Sequence, residues 1–383
     1  MAEEVGLRKR LGEVASVFLR LGFVAFGGPA TALAMMRQEI VLKRQWLTED
    51  EFLDFWGISN LIPGPNATEM AIHIGYRYAS WPGLILAGVC YILPATAIVL
   101  GLAWTYVKYG SLPALTGILD GIKPVVVAIL VWALWGILRH RIRKPLGLFI
   151  TTAALVGYLW NGNPIIWLLA GGIVMWLIPF LFSRRQPPSV LLAGVPLVIG
   201  RVDFLRPLVP FNLWRLFWVF LKAGSLMYGS GYVLLAFIQD DLVNHLGWLT
   251  QSQLLDAIAV GQVTPGPLAT TATFVGYLTG GLSGALLATL GMFLPGFIFA
   301  LLTHPLLNRI QNSEPWRHFL DGVNFAALGL MAGVIWDIGR TVALDPLSIG
   351  IGLVSLFLLI KFELPAPWLI LGGAVVGIGT TFL

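Results

Sequence analysis

The sequence predicts an all-α polytopic membrane protein built as two tandem homologous halves, set as inverted repeats, each with about five transmembrane helices and a broken re-entrant hairpin. Three observations predict it. Hydrophobic residues make up 57% of the 383 and charged residues 11%, with a mean hydropathy of +0.83, whereas charged residues reach about a quarter in a soluble domain. The stretch Asn60-Leu61-Ile62-Pro63-Gly64-Pro65-Asn66-Ala67-Thr68 breaks sequence otherwise apolar enough for membrane, and it returns as Gln262-Val263-Thr264-Pro265-Gly266-Pro267-Leu268-Ala269-Thr270. The offset between the two copies, 202 (265 − 63), also aligns Arg20 with Lys222, Gly22 with Gly224, Glu39 with Asp241, Trp46-Leu47-Thr48 with Trp248-Leu249-Thr250, and Asp54 with Asp256. After a one-residue slip it is 201 (276 − 75) and aligns Gly75-Tyr76 with Gly276-Tyr277, Pro94 with Pro295, and Asp120-Gly121 with Asp321-Gly322. A duplication of the whole chain, with an interrupted hydrophobic segment at the matching place in each half, points to a secondary transporter with its site at the repeat interface.

Val14 to Ile40 is the first span, interrupted by Phe26-Gly27-Gly28-Pro29, where Gly27 and Gly28 are expected to line a cavity. Thr48 to Ser59 enters a hairpin: Thr48 caps it, Glu49, Asp50 and Glu51 fill the first turn as the helix dipole prefers, and Phe52, Phe55 and Trp56 share a face. Pro65 to Tyr78 returns, and each arm is too short for the roughly 20 residues a crossing needs. Spans follow at Gly83 to Val107, Val125 to Leu138, Leu146 to Leu159 and Ile165 to Phe182, completing a first repeat over 1–182. A proline-studded linker, 183–212, leads to the second repeat over 213–383, read as Leu213 to Ile238, the hairpin Thr250 to Leu278, Leu282 to Thr303, Phe319 to Ile338, Leu347 to Ile360 and Trp368 to Phe382. An odd number of crossings per half inverts the second half. Charge agrees, because Arg139, Arg141, Arg143 and Lys144 follow the fourth element of the first half where Arg340, Asp337 and Asp345 flank its counterpart. That asymmetry sets the linker in the cytoplasm and the C-terminus outside; the N-terminus, with Arg8, Lys9 and Arg10, fits the scheme least well.

Prolines without an N–H end a helix, so each break yields two half-helices, with Pro65 expected at the first position of the second one. The free N–H groups of Asn66, Ala67 and Thr68 then point back into the break and outline an anion site. The expected binding residues are Pro63, Gly64, Pro65, Asn66 and Thr68 with Pro265, Gly266, Pro267 and Thr270. For Arg20 and Lys222 two readings stay open, snorkelling to headgroups or facing a dianion. Glu39 and Asp241, like Asp54 and Asp256, read as helix caps or loop residues on one view and as proton carriers on the other. Glu69 and His73, one turn apart, have Thr271 and Val275 as their equivalents, and a carboxylate beside an anion site can couple binding to protonation.

The rest of the chain narrows the classes. A single cysteine, Cys90, excludes an internal disulfide, and no cleavable signal peptide is expected from the charged stretch Met1 to Glu13. His73, His140, His245, His304 and His318 are scattered, so no metal, cofactor or catalytic constellation is expected and an enzyme is disfavoured; a channel is distinguished by whether flux saturates. The pI near 9.4 reflects Lys and Arg in short loops rather than a nucleic-acid partner.

The FGGP at Phe26 to Pro29, the Trp46-Leu47-Thr48 entry, both proline-glycine-proline breaks and the whole-chain duplication resemble the chromate ion transporter family in its long, two-domain form. The resemblance implies export of chromate from the cytoplasm across a bacterial inner membrane, driven by the membrane potential or a proton gradient, and chromate resistance. Tyr228-Gly229-Ser230-Gly231 departs from FGGP, so one main site rather than two is expected. The expected partners are chromate or a sulfate-like oxyanion and membrane lipid, with a homodimer left open.

Overall fold

The computed structural model describes residues 2–25, 29–60, 62–110, 112–139, 144–160, 162–182, 209–228, 231–303, 314–342 and 345–381, and these are helical with short connections. The first half contains α1 (Ala2–Val24), α2 (Pro29–Arg37) continuing into a π-helical turn (Gln38–Lys43), α3 (Glu49–Ser59), α4 (Asn66–Tyr109), α5 (Pro113–Leu138), α6 (Pro145–Leu159) and α7 (Pro164–Phe182). In the second half come α8 (Leu213–Leu226), α9 (Val233–Ile238) with a π-helical turn (Gln239–His245), and α10 (Gln251–Val263). They are followed by a 3-10 turn (Leu268–Thr270) running into α11 (Thr271–Thr303), then α12 (Glu314–Val342), α13 (Pro346–Phe362) and α14 (Ala366–Thr381). The order repeats element for element, π turns included.

Local chemistry repeats with it. Thr48 and Thr250 cap α3 and α10 through full capping boxes with Glu51 and Gln253. The FGGP interruption is bracketed by the end of α1 at Val24 and the start of α2 at Pro29, while Phe26, Gly27 and Gly28 themselves lie outside the described residues. The linker reading likewise falls outside them over 183–208.

α4 reverses sharply at Ala79 (φ −139°, ψ 29°) and Ser80 (φ 54°, ψ −148°), so its first arm, 66–79, folds back against α3 before the second arm, 80–109, leaves. α11 does the same at Gly280 and Gly281 (φ 61°, ψ −151°). Arg77 bonds Glu51 at 3.0 Å, His73 stacks on Phe55 with ring centroids 6.0 Å apart, and Asn66 Nδ2 donates to Asn60 Oδ1 at 2.8 Å. α3 and the first arm of α4 therefore lie side by side as an antiparallel pair.

The halves interlock. α5 packs against α13 and α14, and its counterpart α12 packs against α6 and α7. Glycines allow the approach: a Cβ at Gly121 would stand 2.1 Å from the Gly373 carbonyl oxygen, and one at Gly322 would stand 2.1 Å from that of Gly171. α4 and α11 cross between them with Leu84 packed on Ala300 and Gly88 against Phe297, so these repeat-equivalent helices run antiparallel.

Two expectations are corrected. α5 and α12 begin at Pro113 and Glu314, before the expected starts at Val125 and Phe319; in α5 the charged and glycine residues ahead of Val125 are accommodated inside the helix by the Asp120–Lys123 pair and the Gly121–Gly373 contact. Pro65 is the N-cap of α4, with an extended ψ of 99°, rather than its first helical residue.

Candidate oxyanion site

The breaks reach across the repeat. Gly64 has φ +147° and Gly266 φ +90°, left-handed conformations that a residue without a Cβ adopts at little steric cost. Gly64 N–H donates to the Met227 carbonyl at 2.7 Å, and Gly266 N–H donates to the Ala25 carbonyl at 3.0 Å. Met227 and Ala25 are themselves repeat equivalents, each just past the end of the first helix of its half. Each break is thus tied to the end of the first helix of the other half, and both breaks lie between the halves.

Pro63, Gly64, Pro65, Pro265 and Pro267 are buried, and Gly266 is half-buried. The first turn after each break is tighter than a plain helix start: Thr68 N–H donates to the Pro65 carbonyl at 2.7 Å, and Thr270 N–H to that of Pro267 at 3.0 Å. This corrects the expectation for Thr68, whose N–H is taken, and leaves the N–H groups of Asn66 and Ala67 as the donors without an intrahelical partner. The hydroxyls differ too. Thr270 Oγ1 donates to the Pro267 carbonyl at 3.0 Å, while Thr68 Oγ1 is buried with no hydrogen-bond partner among the described residues.

Glu69 distinguishes the first break from the second. It is fully buried, neither carboxyl oxygen has a hydrogen-bond partner among the described residues, and Oε1 would lie 2.1 Å from a Cβ placed on Gly64 and 3.7 Å from one on Gly296. Its carboxyl group therefore fills the first break, under the start of α4 and against α11. Tyr228 stands within reach of its charge, and His73 is buried one turn further along. At the second break the equivalent residue is Thr271, and Gly266 faces Ala95, where an added Cβ would be 2.9 Å from the Ala95 Cβ. Gly296 and Ala95 are again repeat equivalents; the matched Pro94 and Pro295 beside them were the available signal.

The remaining candidates lie elsewhere. Lys222 Nζ pairs with Asp241 Oδ2 at 2.5 Å, and Glu39 with Arg44 at 3.0 Å and Lys43 at 3.3 Å. Arg20 is exposed on α1. Lys222 and the two matched acids are held in ion pairs, the acids on their π turns.

The chromate transporter family pattern matches residues 12–176 and 214–378, the second range repeating the first at the same offset. The chain belongs to the chromate transporter family. This transporter is 31% identical over 381 residues to a chromate transport protein of Cupriavidus metallidurans, covering 96% of this chain and 92% of that one. It is 28% identical to a probable chromate transport protein of Synechococcus elongatus, with 96% and 95% covered, and 28% identical to an uncharacterized transporter of Methanocaldococcus jannaschii, with 90% and 88% covered. No solved structure matches it. Membership fits the helices: Asn66–Tyr109, Pro113–Leu138, Leu268–Leu302 and Glu314–Val342 are long and apolar enough to cross a membrane. Outward faces bearing Leu93, Trp104, Phe149, Leu353 and Val375 need lipid rather than water around them, as in a multi-pass membrane protein.

Proposed function

We propose that this transporter exports chromate across a bacterial inner membrane by secondary active transport and so confers chromate resistance, with the first break as the main oxyanion site. The observation that carries this reading is the Glu69 carboxyl, buried in the first break without a partner among the described residues. It stands where a bound oxyanion would stand. The start of α4 offers unpaired N–H groups and about half a positive charge, which suits any anion, whether side chain or substrate. An ionised Glu69 repels a dianion and competes with it for these donors, whereas a protonated one releases them. Thr68 Oγ1 and the N–H groups of Asn66 and Ala67 then replace part of the water that chromate gives up. Fixed dipoles hold the ion without a ring of cations, so it can also leave. In this reading α3 with the first arm of α4, and α10 with the first arm of α11, are re-entrant, and the antiparallel crossing of α4 and α11 reflects inverted topology.

The test is radiolabelled chromate flux in proteoliposomes under imposed pH and voltage gradients, with sulfate as competitor. Saturable chromate transport driven by a gradient is expected, with the affinity rising as pH falls. In Glu69→Gln, which keeps the shape and removes the charge, affinity should become independent of pH. Flux that does not saturate, or a Glu69→Gln profile identical to the parent, rejects the reading.

A further inference from the structure

The second hairpin also buries a carboxylate, at a place not equivalent to Glu69. Asp256 on α10 is 2% exposed, whereas its counterpart Asp54 is exposed on α3. Tyr106, from the second arm of α4, donates its hydroxyl to Asp256 Oδ2 at 2.8 Å. Oδ1 has no hydrogen-bond partner among the described residues and lies 3.9 Å from Nζ of Lys123 on α5. Lys123 is shared: on its other side it bonds Asp120 at 2.7 Å, and Asp120 is 69% exposed. A cavity of about 400 Å³ opens here between the halves, lined by Asp120, Lys123, Ser252, Thr341, Asp345 and Ser348. Lys123 is thus one residue deep between the cavity and a buried carboxylate.

We propose that Asp256 is a proton-carrying site loaded through this cavity, with the Lys123 ammonium passing between Asp256 and Asp120 as the proton arrives and leaves. The inference rests on the reading of the chain as a secondary transporter. A proton from a hydronium ion in the cavity bonds to Asp256 Oδ1, water is left behind, and the carboxylate becomes neutral; Lys123 stays charged throughout and keeps Asp120 as its partner. Release reverses each step. Ionisable groups buried in a membrane bundle pair with one another and mark ion pathways, and here the pair joins one half to the other.

The surroundings leave few other groups to act. α5 contributes Asp120 and Lys123 and α4 contributes Tyr106; α14 has no ionisable side chain, and α11 has only Tyr277. On α12, Asp337 and Arg340 bond each other at 2.6 Å, and on the neighbouring π turn Asp240 pairs with His245 and Asp241 with Lys222. Across the cavity Asp345, the N-cap of α13, accepts the Ser348 N–H at 2.8 Å, which holds its carboxyl below the usual range. That leaves Asp345 as a fixed negative charge attracting protons to the cavity mouth.

The experiment is the full-length protein in proteoliposomes with a trapped pH-sensitive dye, read during chromate flux and during chromate counterflow. Wild type should move protons with chromate. Asp256→Asn should keep counterflow while its dye signal falls at least tenfold, and the matched Asp54→Asn should behave as wild type. Should Asp256→Asn fail to fold, Tyr106→Phe removes the hydrogen bond that favours the ionised carboxylate and should shift the pH midpoint of transport upward by about one unit. A wild type without flux overturns both this inference and the function above. Flux with wild-type proton movement in Asp256→Asn, or an unmoved midpoint in Tyr106→Phe, overturns this inference alone.

Discussion

At the residue scale neither break glycine has room for a side chain or a backbone that suits one. Gly64→Ala puts a methyl 2.1 Å from Glu69 Oε1 at φ +147°, and Gly266→Ala puts one 2.9 Å from Ala95 at φ +90°. Both should lower chromate transport more than membrane abundance, measured as flux per unit of protein, with Gly64→Ala the more severe because Glu69 must move as well. Lys222 invites a different experiment. Its 2.5 Å pair with Asp241 predicts that Lys222→Gln lowers thermal stability by leaving Asp241 without its partner, and that adding Asp241→Asn restores part of the loss. A change in chromate affinity with stability intact would instead return Lys222 to the anion site.

At the element scale the duplicated reversals make a natural comparison. Ser80 holds φ 54°, ψ −148°, at the edge of a region essentially reserved for glycine, and its equivalent in α11 is Gly281 at φ 61°, ψ −151°. Such a conformation costs on the order of 1–3 kcal/mol for a residue with a Cβ. Ser80 is exposed, so Ser80→Gly should raise the melting temperature in detergent without altering transport. The opposite sign is expected at the hairpin entries, where Thr250→Ala removes one arm of a capping box and should cost about 1 kcal/mol.

At the scale of the whole molecule the prediction is orientation. Lys144 and Asp345 precede α6 and α13 and are related by the repeat, so single cysteines there, in a background with Cys90 replaced by Ser, should react with impermeant reagents from opposite sides of the membrane. Reaction from one side would require parallel halves and turn each hairpin into a full span. The interlocking of α5 with α13 and α14, and of α12 with α6 and α7, adds that neither half keeps its glycine-lined contacts alone.

The sequence by itself determined the duplication, the two breaks, the capped hairpin entries and the family, because each is written in local backbone chemistry: two prolines around a glycine remove too many N–H donors for a helix to run through, and Thr followed three residues later by Glu or Gln starts one. Even Glu69 was legible as a carboxylate near a break. What the sequence could not carry was where polar side chains end. The span expected from Val125 starts at Pro113 instead, with Asp120, Lys123 and Pro124 inside α5, since the charge is met by a partner and the glycine beside it by another helix. Tyr106 and Asp256 are 150 residues apart and share one hydrogen bond; Arg20 and Lys222 look alike in the alignment, and among the described residues an ion pair is found for Lys222 alone. The tertiary structure alone decided these, because the cost of a buried charge depends on which groups the packing of the two halves brings to it, and that information is spread over helices distant in the chain.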